Sequence, residues 1–146
     1  MPTTIFLHLS WTTFRRMPMI GQTVAAFLKR FLPAEARRHD AQVIALGMVS
    51  DHVHLIARIG PSFDVPRLVQ GLKGASARLA NQDQTISRTG LRWAPGYYAA
   101  SVSPQSLESA IRYVRRQTQR HPDLAIPERA SFKTRRAAPS PDFSRG

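Results

Sequence analysis

Cysteine is absent from the 146-residue sequence, which excludes disulfides and thiolate metal sites. Any bound metal must rest on imidazole, carboxylate or amide ligands. Long apolar runs are missing as well, since none approaches the roughly 20 residues that span a bilayer. The opening segment Met1–Ser10 has no basic stretch ahead of an apolar one, so no signal peptide is expected and the expected address is the cytoplasm. There is no glycine-rich phosphate loop, no nucleophile elbow and no HExxH pair. Acidic residues are scarce, 9 against 21 basic ones, and lysine is scarcer still, because arginine supplies 18 of the 21. The resulting formal charge of +12 suits a polyanion, most commonly nucleic acid. Guanidinium groups favour forked contacts to phosphate and stacking on bases. Codon bias with a basic tail would explain part of the same excess.

What is present reads as one folded domain. A hydrophobic content of 42% is that of an ordinary globular protein. Ile5 to Thr13 alternates and carries β-formers, predicting a first strand. A helix follows from about Gly21 to Arg38, with Val24, Phe27, Leu28 and Phe31 at helical spacing. Pro33 should kink or split it. Ala41 to Val49 and His52 to Ile59 read as two strands joined tightly at Ser50-Asp51. A second helix is expected from about Val65 to Asn81, then a polar loop, then a strand from Leu91 to Val102, irregular around Pro95-Gly96. Ser103-Pro104 starts a last helix with a serine cap and a proline in the first turn, and Pro122 stops it. From Lys133 to Gly146 the chain is basic, rich in Pro and Ser and aperiodic, which predicts a disordered tail beyond a domain spanning 1–132. The order β-α-β-β-α-β-α predicts an α+β, ferredoxin-like fold. Its antiparallel sheet would have four to five strands, with the helices on one face.

The candidate chemistry begins on the third strand. His52 and His54 are two residues apart, so both leave from one face, and Val53, Leu55, Ala57 and Ile59 form an apolar set on the other. The core takes the apolar face, and the imidazoles point away from it, where two of them can hold a divalent metal. The triplet alone is a weak signal. Asp51 either orients a ligand imidazole or merely terminates the turn. On the last helix Tyr113 and Gln117 fall together on the flank of the stripe Leu107, Ala110, Ile111 and Val114. Arg112, Arg115, Arg116 and Arg120 crowd the same helix, offering partners for phosphate. The same spacing also fits an amphipathic helix whose tyrosine packs at a rim and whose arginines are solvated. His8 shares no face with Leu7 and Leu9 and is either near the site or structural. His121 reads as a helix cap, where a cation suits the dipole. Tyr97 and Tyr98 are candidates for stacking on bases; core packing is at least as good a reading of Trp93.

Several motifs in order carry a resemblance over Ile5 to His121. The segments HLSWTT, SDHVHLIARIGPSFDVPRLVQGLKGASARL and LRWAPGYYAASVSPQSLESAIRYVRRQ resemble the single-tyrosine HUH transposases of small bacterial insertion sequences, a group that includes the REP-associated tyrosine transposases. The resemblance implies a ferredoxin-like fold and a homodimer in which the tyrosine of one subunit often completes the other's site. It implies that His52, His54 and Gln117 bind Mg²⁺ or Mn²⁺ and that Tyr113 is the nucleophile. The implied substrate is single-stranded DNA bearing hairpins, cut and rejoined through a 5′-phosphotyrosine. Covalent attachment conserves the phosphodiester energy, so rejoining needs no ATP. Tyrosine's ordinary pKa of about 10 requires assistance from a metal or a base. Two departures from the family pattern, Val49-Ser50 in place of Met-Pro and arginines around the tyrosine, touch no implied ligand.

Candidate phosphate contacts are Arg67, Lys73 and Arg78 on the middle helix and Arg115, Arg116 and Arg120 on the last. Two other functions use the same surface: a domesticated relative that processes palindromes, and a nucleic-acid-binding module without catalysis. A histidine-based hydrolase of small molecules lacks a third His or carboxylate nearby.

Overall fold

A computed structural model describes residues 4–126. The expected tail at 133–146, and with it the domain boundary expected near 132, lies outside these residues. Strand β1 (Ile5–Thr12) runs into helix α1 (Gln22–Arg37), then β2 (Ala41–Val49) and β3 (His52–Ile59). The chain continues through α2 (Val65–Gln70), a π-helical segment Gly71–Ala75 and α3 (Ser76–Gln82), and then reaches β4 (Tyr98–Val102). All pairings are antiparallel, and the spatial order is β2-β3-β1-β4. With one helical crossover after β1 and another after β3, this is the ferredoxin-like arrangement.

Strand alternation decides which side chains make the core. Leu7, Leu9 and Trp11 of β1 and Val53, Leu55, Ala57 and Ile59 of β3 are buried on one face. They meet Val24, Leu28 and Leu32 of α1 and Leu68, Leu72 and Ala80 of the composite helix 65–82 in the main core. Pro33 leaves α1 one uninterrupted helix. Its neighbours Leu32 and Ala36 are fully buried, and that packing offsets the lost backbone hydrogen bond.

Besides Pro33, three features differ from the sequence-based expectation. The first concerns layering. The helices were expected on one face, but α4 (Leu107–Arg115) lies on the other, where Val114 joins Ala45 and Ile56 in a second, smaller core. The first face is already filled by α1 and 65–82, so the apolar stripe of α4 finds its partner on the reverse. The second concerns the strand expected from Leu91, which begins only at Tyr98. Residue Trp93 makes one bridge to Thr13, and its indole N–H donates to Ser76 Oγ at 3.0 Å. Pro95 then offers no ladder donor, and Gly96 adopts a positive φ of 84°. The third concerns the last helix, which breaks at Arg116 (φ −99°, ψ 24°) before a short α5 (Gln117–Arg120).

Candidate active site

Register brings the histidines together. His52 and His54 leave β3 on the face away from the main core, paired with Thr12 and Ser10 of β1 and with Val49 and Gly47 of β2. His8, on the same face of β1, lies one pleat from His54, and its Nε2 stands 2.9 Å from His54 Nδ1. The last helix roofs this face. Its closest approach depends on Gly47, where an added Cβ would stand 1.8 Å from the Val114 carbonyl oxygen. Only a residue without a side chain admits α4 at that point.

The break at Arg116 turns Gln117 inward until it is buried. Its amide N–H donates to the Tyr113 carbonyl at 3.0 Å, which directs Oε1 toward His52 Nε2 at 3.2 Å. On the other side of that ring, Nδ1–H donates to Asp51 Oδ1 at 2.7 Å. Asp51 is fully buried. Arg16 Nε lies 3.5 Å from the second carboxylate oxygen, reached from a turn in which Arg15 and Arg16 both hold φ near 53–54°. A carboxylate only accepts, so the His52 proton sits on Nδ1 and a lone pair on Nε2 faces the amide oxygen. Two acceptors meet there, and only a cation between them, a proton or a metal ion, satisfies both. His52 therefore points away from the main core, as expected, but is not open to solvent.

Tyr113 is half-buried beside this group. Its ring centroid is 5.6 Å from that of His54 and 5.9 Å from that of His8, and the Arg120 guanidinium lies 4.6 Å above it. A cleft of about 580 Å³ opens between the sheet and α4, lined by His8, Ser10, His54, Tyr98, Ser109 and Tyr113 among others. Burial, then the neighbouring His52, His8, His121 and Arg120, pull the His54 pKa down from 6.5 to about 3. Burial lowers that of His8 too. Both rings are neutral at physiological pH, the state in which imidazole binds metals. The arrangement offers donors for a cation beside a phenol, at the wall of a cleft with guanidinium groups at its edge.

Residues 3–117 match the family described as Transposase IS200 like. The chain belongs to the IS200-like transposases. ISDra2 transposase TnpA of Deinococcus radiodurans is 32% identical over 115 residues, spanning 75% of this chain and 81% of that protein. A crystal structure of a candidate transposase from Deinococcus radiodurans R1 has a TM-score of 0.59 at 29% identity, covering 77% of this chain and 89% of the other. A REP-associated tyrosine transposase bound to a REP hairpin has a TM-score of 0.63, covering 83% of this chain and 70% of its own. At 12% identity that likeness concerns the fold alone. Family membership makes this transposase an enzyme that cuts and joins DNA.

The transposase divides its candidate phosphate contacts between two sides. Arg112, Arg116 and Arg120 surround Tyr113 in a second hollow of about 440 Å³, together with Ser109 and Gln119. Arg115 is exposed but lines neither hollow. Arg67 and Arg78 are exposed on the helical layer of the opposite face. Lys73 is committed elsewhere: its ammonium donates to the carbonyls of Ala94 and Gly96, both at 2.7 Å, and so pins the loop ahead of β4. His121 is the C-cap of α5, as expected, and its ring also stands 5.2 Å from that of His52. His8 is the residue whose neighbourhood was hardest to read, since 46 positions separate it from His54. The alternation of β1 placed it off the core face, but only the register of β1 on β3 selects its partner.

Proposed function

We propose that this transposase cuts and rejoins single-stranded DNA with hairpin ends, using Tyr113 as nucleophile and a divalent ion, Mg²⁺ or Mn²⁺, held by His52, His54 and Gln117. The observation that carries the reading is the facing pair His52 Nε2 and Gln117 Oε1, 3.2 Å apart, beside Tyr113 at the cleft. Both atoms are acceptors of the kind that bind divalent cations, so the pair would hold such an ion together. Among the described residues no three His, Asp or Glu side chains gather closely enough to hold a metal alone, which makes the amide the natural third donor.

When held there, a divalent ion would supply charge neutralisation for the scissile phosphate. The rest of the task falls to side chains. Tyr113 Oη forms a bond to phosphorus as the bond to the 3′-oxygen breaks, leaving a 5′-phosphotyrosine and a free 3′-hydroxyl. The phenol gives up one proton and the departing oxygen takes one, so the step balances and runs backward to rejoin strands. Arg112, Arg116 and Arg120 neutralise flanking phosphates, and the exposed Tyr97 and Tyr98 offer rings to unstacked bases. A hairpin ligand, like that of the REP-associated relative, agrees with the net charge of +12.

The test is direct. Tyr113→Phe should abolish covalent protein–DNA adducts, read as a shifted band after denaturation, and leave hairpin binding nearly intact. An adduct of normal yield from this variant would remove Tyr113 from the chemistry.

A further inference from the structure

We infer that His8 is a positioning residue that sets the tautomer of His54, so that His54 presents its Nε2 lone pair to a cation. The inference rests on the proposed metal site, and it begins from a symmetry in the hydrogen bonds. Each of the paired histidines has its Nδ1 engaged by an outer partner: Asp51 for His52 at 2.7 Å, and His8 for His54 at 2.9 Å.

For His52 the partner leaves no choice, because a carboxylate only accepts. For His54 two arrangements are open. If His54 Nδ1–H donates to His8 Nε2, His54 Nε2 carries a lone pair. If His8 Nε2–H donates instead, His54 must hold its proton on Nε2 and has no lone pair left for a metal. Both imidazoles can serve one ion only in the first arrangement. His8 must then keep its own proton on Nδ1 and act as the acceptor.

The surroundings explain why an imidazole, and not a second carboxylate, stands there. His8 lines the cleft that a phosphate would enter, and an anion at that wall would repel it. Asp51 carries no such conflict, because it is fully buried and is absent from that lining. His8 is itself held edge-on between Tyr98 and Tyr113, with ring centroids at 5.4 Å and 5.9 Å. It therefore joins the histidine strand to the helix that carries the nucleophile. An outer partner of this kind fixes a ligand's ring orientation as well as its tautomer.

The experiment has two arms on the full chain. In metal-free protein, long-range ¹H–¹⁵N NMR should find the His54 proton on Nδ1. In His8→Phe, which keeps a ring but offers no acceptor, that proton should move to Nε2. In the second arm, Mn²⁺ affinity by EPR should weaken about 10- to 100-fold in His8→Phe, the usual cost of losing an outer partner. His8→Gln, whose side-chain oxygen accepts the same proton, should recover most of that loss. Should the Phe variant fail to fold, His8→Ser, too short to reach Nδ1, takes its place. A wild-type His54 protonated on Nε2 overturns the inference, as does an unchanged tautomer in the variants. If the tautomer differs between wild type and His8→Phe as expected but the wild type binds no Mn²⁺, the metal site is overturned and the His8–His54 assignment stands.

Discussion

At the residue scale, burial holds the imidazoles of His8, His54 and His121 below their ordinary pKa. His54 shows this most clearly, its pKa pulled from 6.5 to about 3 by burial first and by the cationic forms of its neighbours second. The folded value lies below the unfolded one, so between those two pH values the unfolded chain binds the additional proton. Stability therefore falls as pH drops from 6.5 toward 3 and, for this residue, is level above 6.5. In EDTA-treated protein, His54→Gln should make the acid side of the stability profile shallower. Urea midpoints between about pH 4 and 7 measure this, and a slope equal to that of the wild type would show that His54 does not titrate in that range. His8 and His121 are lowered in the same direction, so part of the slope should survive.

At the scale of elements, the decisive contact is α4 on β2. An added methyl at Gly47 would meet the Val114 carbonyl carbon and oxygen at 2.9 and 1.8 Å, and backbone cannot rotate away as a side-chain tip can. Gly47→Ala should lift the end of α4, carrying Tyr113 and Gln117 off the histidines. We expect a stability loss of about 1–3 kcal/mol, the usual range for overpacking, and a larger fall in adduct yield than in hairpin binding. Urea unfolding and the adduct assay report the two effects separately. Full adduct yield would show that the helix end tolerates displacement. The break at Arg116, where the sequence predicts a continuous helix, matters as much. Gln117 reaches His52 only because the chain turns there, and the Tyr113 carbonyl accepts from both the Arg116 backbone N–H and the Gln117 amide.

At the scale of the molecule, basic side chains lie on both faces of the sheet, and only one face holds the cleft. With about five phosphates neutralised, log affinity for a single-stranded hairpin should fall with log salt at a slope near −3 to −4. Arg116→Ala and Arg120→Ala should each reduce that slope by about 0.7, whereas Arg67→Ala and Arg78→Ala, on the reverse layer, should leave it unchanged. Equal effects on both faces would mean that the hairpin wraps the sheet. The site's location also bears on assembly. Tyr113 lies beside the histidines of its own chain, 5.6 Å from His54 between ring centroids, although the family resemblance raised a tyrosine shared between subunits. Mixing Tyr113→Phe with His54→Ala protein should therefore restore no adduct formation. Recovery of activity in the mixture would show that the tyrosine crosses to a partner.

Much of this was legible in the order of residues. Strand alternation put His52 and His54 on one face and Val53, Leu55, Ala57 and Ile59 on the other, because a two-residue period survives any choice of partner. The bounds of β2 and β3, the serine cap at Ser103 and the ordered motifs from His8 to Gln117 were readable for the same local reasons. The tertiary structure decided what depends on distant contact. It put α4 on the second face because the first was full, and it broke the helix at Arg116 to bury Gln117. It drew Lys73 away from the phosphate surface to hold the carbonyls of Ala94 and Gly96. It set His8 against His54 and His121 against His52, through strand register and through the turn after α5. Those pairings follow from how the layers close, and no spacing along a single chain segment encodes them.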